Sequence, residues 1–139
     1  MRAYIDTSVL TSAYCDEPNS RKAERLLQKY TPVISGLTRL ELSSSVAKKL
    51  RAKTLAKRQA TAIISMFHEH IRSGIFEVQR IGDDLYDLAC EWLDLLTTSM
   101  RSLDSLHLAV AHSLQLPLIT ADVALARSAR KLNIPVESL

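Results

Sequence analysis

The sequence predicts an α/β fold, a three-layer α/β/α sandwich built on a short, mostly parallel sheet of four to five strands. Short apolar runs with β-forming character alternate with segments of helical periodicity, which is typical of βαβ units. The 139 residues are 47% hydrophobic and 24% charged, which suffices for one hydrophobic core but not for two. We therefore expect a single domain over residues 1–139.

The first half of the chain begins with a strand and then becomes mostly helical. The run Arg2–Ile5 favours a strand, and the polar triplet Asp6–Ser8 is of the kind that begins a helix. After a loop at Glu17–Asn19, apolar residues recur at helical spacing, at Ala23, Leu26, Leu27 and Tyr30. The run Pro32–Ser35 predicts a second strand, and a helix is expected over Thr38–Lys53.

The second half continues the alternation. A helix from about Thr54 to near Gly74 should form a hairpin with the helix before it, and Ile75–Ile81 predicts a third strand. The helix that begins at Gly82 carries an apolar stripe, formed by Leu85, Leu88, Ala89, Trp92 and Leu95. The remaining elements are a helix over Ser102–Leu114, a strand over Leu116–Thr120, a helix over Asp122–Lys131 and a candidate strand over Ile134–Val136.

Composition excludes several classes of protein. Three glycines are too few for the glycine-rich phosphate loops of P-loop and dinucleotide-binding proteins. Cys15 and Cys90 form no CxxC pair, so a zinc site or a disulfide framework is not expected. No apolar run is long enough to span a bilayer, and Asp6 interrupts the amino terminus where a signal peptide would need apolar residues. We expect a cytoplasmic protein with no membrane association.

Positive charge is concentrated in one segment. The formal net charge is +3, and no acidic residue occurs between Leu42 and His68. The basic residues within that segment include Lys48, Lys49, Arg51 and Lys53, followed by Lys57 and Arg58. Such a cluster favours either a contact with a polyanion or a solvated helical rim, and sequence alone leaves both open.

Four carboxylates lie where chemistry is expected in a parallel sheet. Asp6 and Asp122 follow two strands, and the carboxyl ends of parallel strands meet at one edge. Glu41 lies one turn into a helix after the second strand, and Asp104 lies in the first turn of its helix. Carboxylates brought together repel one another, and Mg²⁺ or Mn²⁺ would relieve that repulsion.

Each acid also has a purely structural interpretation. Asp6 and Asp122 suit the N-cap position of a helix, and Glu41 could complete a capping box with Thr38. Asp104 could stabilise the positive end of its helix. The spacing alone does not decide between capping and metal binding.

Four segments of the chain resemble, in order, the motifs of PIN-domain ribonucleases, and most closely those of the VapC toxins of prokaryotic toxin-antitoxin pairs. The segments are Tyr4–Leu10 (YIDTSVL), Thr38–Leu42 (TRLEL), Leu103–Ala109 (LDSLHLA) and Leu118–Leu125 (LITADVAL). The resemblance implies a PIN-like fold and a metal-dependent endoribonuclease. Its expected partners are an RNA substrate, a small protein antitoxin and a second copy of the chain.

The resemblance also implies roles for particular residues. The acids that would hold Mg²⁺ or Mn²⁺ and carry catalysis are Asp6, Glu41, Asp104 and Asp122. Ser8 and Thr120 occupy the positions of supporting hydroxyls. His107 lies one turn after Asp104, but a single helical histidine is more often structural, and we place it outside the catalytic set.

Two other classes of function remain open at this point. A phosphoacceptor domain or phosphatase would also place an aspartate after the first strand. The phosphatase motif, however, needs a second acid two residues later, where this chain has Ser8. A non-catalytic RNA- or partner-binding domain would use the basic segment and leave the carboxylates structural.

Overall fold

Five short strands form one sheet in a computed structural model that describes all residues, Met1–Leu139. The strands are β1 (Arg2–Ile5), β2 (Thr31–Ser35), β3 (Glu77–Gln79), β4 (Leu118–Thr120) and β5 (Val136–Ser138). The helices are α1 (Thr7–Tyr14), α2 (Ser20–Lys29), α3 (Gly36–Arg51), α4 (Lys57–Arg72), α5 (Asp83–Asp94), α6 (Ser102–Ser113) and α7 (Val123–Lys131). The predicted α/β class is confirmed.

The strand order is β3-β2-β1-β4-β5, and every pairing is parallel. The chain therefore moves outward from β1 through β2 to β3, and then returns to the other side of β1 with β4. This reversal is a topological switch point, and ligands of open α/β sheets bind outside the strands' carboxyl ends there. Asp6 follows β1 and Asp122 follows β4, so the order of strands alone brings these two acids together.

Helices cover both faces of the sheet. Alternate residues of β1 point to opposite faces, so that Ile5 packs with buried residues of α1–α4 while Tyr4 packs with buried residues of α5–α7. The apolar strands are buried on both sides, as an all-parallel sheet requires. No helix of the protein is both long and apolar enough to cross a membrane.

Some predicted boundaries are wrong, and capping explains the most consequential one. Helix α3 begins at Gly36, two residues earlier than expected, because Ser35 is its N-cap and forms a capping box with Thr38. Glu41 is therefore not needed to cap this helix, and the capping interpretation of that residue is wrong. The third strand is shorter than predicted, since only Glu77–Gln79 pairs with β2.

Candidate active site

A cleft of about 660 Å³ opens at the carboxyl edge of the sheet, beside the switch point. All four predicted acids line it, and they come from four different parts of the fold: Asp6, Glu41, Asp104 and Asp122. Only three of its 17 lining residues are hydrophobic. A polar cleft lined by clustered carboxylates is suited to a cation and an anionic substrate rather than to an apolar ligand.

Asp6 is the most deeply buried of the four acids, with 5% of its surface exposed. It ends β1 and is the N-cap of α1, where its Oδ2 atom accepts a hydrogen bond from the Ser8 backbone N–H at 3.3 Å. The Ser8 hydroxyl donates to the same oxygen, and the Thr120 hydroxyl donates to it at 2.8 Å. Three donors thus converge on one carboxylate oxygen, which fixes the rotamer of the side chain.

Thr120 and Ser8 connect the ends of the two central strands. The Thr120 hydroxyl accepts from the Asp122 backbone N–H at 2.9 Å, and the Ser8 hydroxyl accepts from the Ala121 backbone N–H at 2.8 Å. Asp122 in turn caps α7, where its Oδ1 accepts from two backbone N–H groups at 2.7 and 3.0 Å. The two predicted supporting hydroxyls therefore lie against the acids they were expected to support.

Glu41 reaches the cleft from α3, and its side chain is 22% exposed. Its Oε2 atom accepts from the Thr7 hydroxyl at 2.6 Å and lies 2.7 Å from the Nε2 atom of His107. Burial alone would raise the pKa of this carboxyl, but His107, Thr7 and the charge of Arg101 together hold the pKa below its ordinary value. Glu41 is therefore a carboxylate at neutral pH.

His107 is the residue that sequence reasoning left out of the site. It is 2% exposed, and its Nε2 atom lies against Glu41 and 3.5 Å from the Oδ1 atom of Asp6. Burial alone would lower the pKa of the imidazole, but the hydrogen bond to Glu41 and the charges of the nearby acids outweigh it and raise the pKa above its ordinary value. The available sequence signal was a polar residue on the buried face of α6, three positions after Asp104.

Asp104 lines the cleft and has a partner of its own. Its Oδ2 atom accepts from the backbone N–H of Arg101 at 3.2 Å and from the guanidinium Nε–H at 3.3 Å. The Asp104 side chain is 20% exposed and that of Arg101 is 79% exposed. Arg101 therefore adds a solvent-facing cation to a cleft that five acidic residues line.

The tightest group of potential ligands consists of Asp6, Glu41 and His107, whose ligand atoms all lie within 4.8 Å of one another. Asp104 and Asp122 line the same cleft outside this group. In all four acids the hydrogen bonds from protein donors fall on a single oxygen, and the other oxygen accepts none. Such a set of free carboxylate oxygens fits a hard cation of the Mg²⁺ or Mn²⁺ type.

The four basic residues proposed from sequence do not line the cleft. Lys48, Arg51 and Lys53 are exposed at the end of α3 and in the following turn, whereas Lys49 forms an ion pair with Glu17 at 2.8 Å. Glu17 itself lines the end of the cleft formed by the turn after α1. This ion pair places the segment that carries Lys48, Lys49, Arg51 and Lys53, the basic turn, next to the cleft.

Comparison with protein families identifies residues 3–131 as matching the PIN domain. A search among curated protein sequences yields no match. The family match covers nearly the whole chain and includes all four acids.

Solved structures of similar fold include toxins and toxin-antitoxin complexes. The crystal structure of VapC20 from Mycobacterium tuberculosis, a toxin that cleaves the sarcin-ricin loop, matches with a TM-score of 0.70 and 19% identity over 91% of this chain and 94% of that one. VapBC2 from Rickettsia felis, bound to a DNA fragment from its promoter, matches with a TM-score of 0.71 and 20% identity over 99% and 98% of the two chains. DNA-bound VapBC from Salmonella typhimurium matches with a TM-score of 0.67 and 18% identity, again over 99% and 98%. At these identities the likeness shows a shared fold.

Proposed function

The chain belongs to the PIN domain family, and from that premise we propose that it is a Mg²⁺- or Mn²⁺-dependent endoribonuclease, the toxin of a VapBC-type toxin-antitoxin pair. The observation that carries the proposal is the convergence of four carboxylates from separate elements in one polar cleft at the switch point of the sheet. A capping role alone would not require the four acids to meet.

The metal would be held by the carboxylate oxygens that accept no hydrogen bond from the protein, with Asp6 as the central ligand and Asp104 and Asp122 as further ligands. When bound, such a cation lowers the pKa of a water molecule and neutralises charge on the scissile phosphate. Glu41 would orient the attacking water or bind the cation through water. Arg101 at the rim can contact a phosphate that enters the cleft.

The direct test is cleavage of cellular RNA by the purified protein, with Mg²⁺ or Mn²⁺ and with chelator. We expect cleavage only with the metal, and none by Asp6→Asn, whose amide oxygen can still accept the three hydrogen bonds that hold the side chain. Glu41→Gln should lower kcat by about 10²- to 10⁴-fold, the range for a group that moves or orients a reacting proton.

Asp83→Asn is a matched control, because Asp83 is an exposed acid in the first turn of α5 and lies outside the cleft. It should cleave RNA like the wild type. Full activity in chelator, or in Asp6→Asn, would refute the proposal. Transfer of phosphate to Asp6 would favour a phosphoacceptor domain instead, and RNA binding without cleavage would favour a binding module.

We also propose that the basic turn formed by Lys48, Lys49, Arg51 and Lys53 binds the RNA strand beyond the cleft. Removing one side chain that binds a phosphate of single-stranded RNA should flatten the slope of log affinity against log salt by about 0.7. Changing all four residues to Gln should therefore reduce the slope by about 2 to 3, whatever the RNA sequence. Arg72→Gln at the opposite end of α4 is the control, and binding is measured in the Asp6→Asn background. An unchanged slope would leave the basic turn as a solvated rim.

The partners belong to the same proposal. A toxin-antitoxin complex is among the solved structures of similar fold, so we expect a small protein antitoxin for this chain. We also expect a homodimer that acts in the cytoplasm, where an RNA substrate would be found. Expression of the chain alone should arrest growth, and co-expression of the neighbouring gene product should relieve the arrest. Light scattering that gives a monomer at micromolar concentration would refute the dimer.

A further inference from the structure

A chain of buried polar groups runs from the carboxyl end of β2 to the cleft. It begins at the Ser35 hydroxyl, 2.9 Å from the phenol oxygen of Tyr4, and the phenol oxygen is 2.8 Å from Nδ1 of His107. The other ring nitrogen, Nε2, is 2.7 Å from Oε2 of Glu41. Ser35 and Tyr4 are fully buried.

The direction of the last hydrogen bond follows from the chemistry of its partners. Glu41 is ionised and can only accept, so the Nε2 atom of His107 must carry a hydrogen. This holds for both charge states of the ring. In the neutral ring Nδ1 accepts from the Tyr4 phenol, and in the cationic ring Nδ1 donates to it. The phenol therefore fixes the orientation of the imidazole in either state.

These contacts leave one oxygen of Glu41 without a hydrogen bond from the protein. Thr7 and His107 both donate to Oε2, while Oε1 accepts no hydrogen bond from the protein. A Glu side chain has several rotatable bonds, and two donors from different elements, α1 and α6, restrict it to one rotamer. His107 lines the cleft, but it is not a free base there, because its ring is buried and both of its nitrogens are hydrogen-bonded.

We propose that His107, anchored by Tyr4, is a positioning residue that holds Oε2 of Glu41 and thereby aims Oε1 at the cation or its water. The inference rests on the proposed metal-dependent function and assigns to it a residue outside the acidic quartet. Groups that orient the ligands of a metal site in this way typically change metal affinity or activity by about 10- to 100-fold when they are removed.

The test measures Mn²⁺ binding by electron paramagnetic resonance or calorimetry, together with kcat and KM for RNA cleavage. His107→Ala should weaken Mn²⁺ binding or lower kcat by about 10- to 100-fold with little change in KM. His107→Gln should recover most of the loss, since its side-chain amide can donate to Glu41 from a similar position. Tyr4→Phe should give a smaller loss, and none at all when His107 is already Ala.

Val110→Ala is the matched control, because Val110 is a fully buried residue of the same helix that makes no side-chain hydrogen bond. It should lower the melting temperature but leave Mn²⁺ affinity and kcat unchanged. If His107→Ala does not fold, His107→Gln is compared with Tyr4→Phe instead. His107→Gln should retain Mn²⁺ affinity and kcat, and Tyr4→Phe should lose part of one or the other.

Three results would overturn the inference. The first is that His107→Ala binds Mn²⁺ and cleaves RNA as well as Val110→Ala does. The second is that His107→Gln loses as much Mn²⁺ affinity or kcat as His107→Ala, which would indicate a direct ligand. The third is that Tyr4→Phe has no effect on either quantity. In all three the wild type still binds Mn²⁺ and cleaves RNA, so the proposed function survives. A wild type that does neither would overturn the proposed function and this inference together.

Discussion

Thr120→Val should destabilise the protein, because one buried hydroxyl connects two of the four acids. The Thr120 side chain is fully buried, donates to the Asp6 carboxylate at 2.8 Å and accepts from the Asp122 backbone N–H at 2.9 Å. Valine keeps the shape of the side chain but provides neither hydrogen bond. The substitution therefore leaves a carboxylate with one donor fewer and an N–H group without its acceptor.

The expected loss is worked from these two hydrogen bonds. A hydrogen bond to a charged group contributes about 1.5 to 3 kcal/mol, and an N–H left without a partner costs about 1 to 3 kcal/mol. Since Ser8 still donates to Asp6 and the Asp122 N–H lies near solvent, we take the lower part of each range and expect about 3 kcal/mol in total. With an entropy of unfolding near 2.1 cal/mol/K per residue, this lowers the melting temperature of a 139-residue chain by about 10 °C.

The measurement is thermal and urea unfolding in the presence of chelator, so that bound metal does not add to the stability of either protein. Thr120→Ser is the control, because it keeps the hydroxyl and removes only a methyl group, at a cost of about 1 kcal/mol. If Thr120→Val melts within about 2 °C of the wild type, or if Thr120→Ser is the less stable of the two, the hydroxyl does not stabilise the two strand ends.

Three further substitutions test the fold outside the cleft. The pKa of Glu137 is lowered by a hydrogen bond from Tyr30 and by Lys29. This carboxylate therefore stabilises the fold above its unfolded pKa of about 4.3, and the stabilisation is lost as the pH falls through the lower folded value. Glu137→Gln should melt below the wild type at pH 6, and the difference should shrink steadily as the pH is lowered through the acid range. Gly74→Ala should cost about 1 kcal/mol in urea unfolding, because φ is +77° there and an added Cβ would meet no atom within 4 Å, so that only backbone strain contributes. Phe67 lies on the buried face of α4, and Phe67→Ala should lower the free energy of unfolding by about 3 to 5 kcal/mol in the same assay. A loss below about 1 kcal/mol would contradict the packing described.

The position of Asp6 and Asp122 could be predicted from sequence because it depends on topology alone. Both follow strands of a parallel sheet, and the carboxyl ends of such strands share an edge whatever the details of packing. Glu41 and Asp104 were expected at the same edge from their places in the first turns of two predicted helices, and the structure places both in the cleft. The family resemblance added the metal-binding role that these acids would have. The helix boundaries near them were less accurate, since local capping by Ser35 decides where α3 begins.

The partners of Glu41 could not be predicted in the same way. The contact between Glu41 and His107 joins α3 to α6, 66 residues apart in the chain, and depends on the rotation of both helices about their axes. Periodicity identifies which face of α6 is buried, but not which residue of another element lies against it. The position of His107 on an apolar helix face therefore suggested a structural residue. Its contact with the Glu41 carboxylate can be seen only in the three-dimensional structure.

For these acids, capping would not exclude the proposed cation binding. Asp6 and Asp122 each use one carboxylate oxygen to hold the start of a helix, and Asp104 uses one to hold Arg101. The second oxygen of each accepts nothing from the protein, so the interaction that forms the fold also fixes the direction in which the free oxygen points. An Asp→Asn change in this arrangement can keep the structural hydrogen bonds on its amide oxygen while it replaces the free oxygen by an NH₂ group. An Asp→Asn variant that keeps its fold but does not bind metal would therefore show that the acid has both roles rather than capping alone. An Asp→Asn variant that unfolds would show that the structural hydrogen bonds need the full charge of the carboxylate.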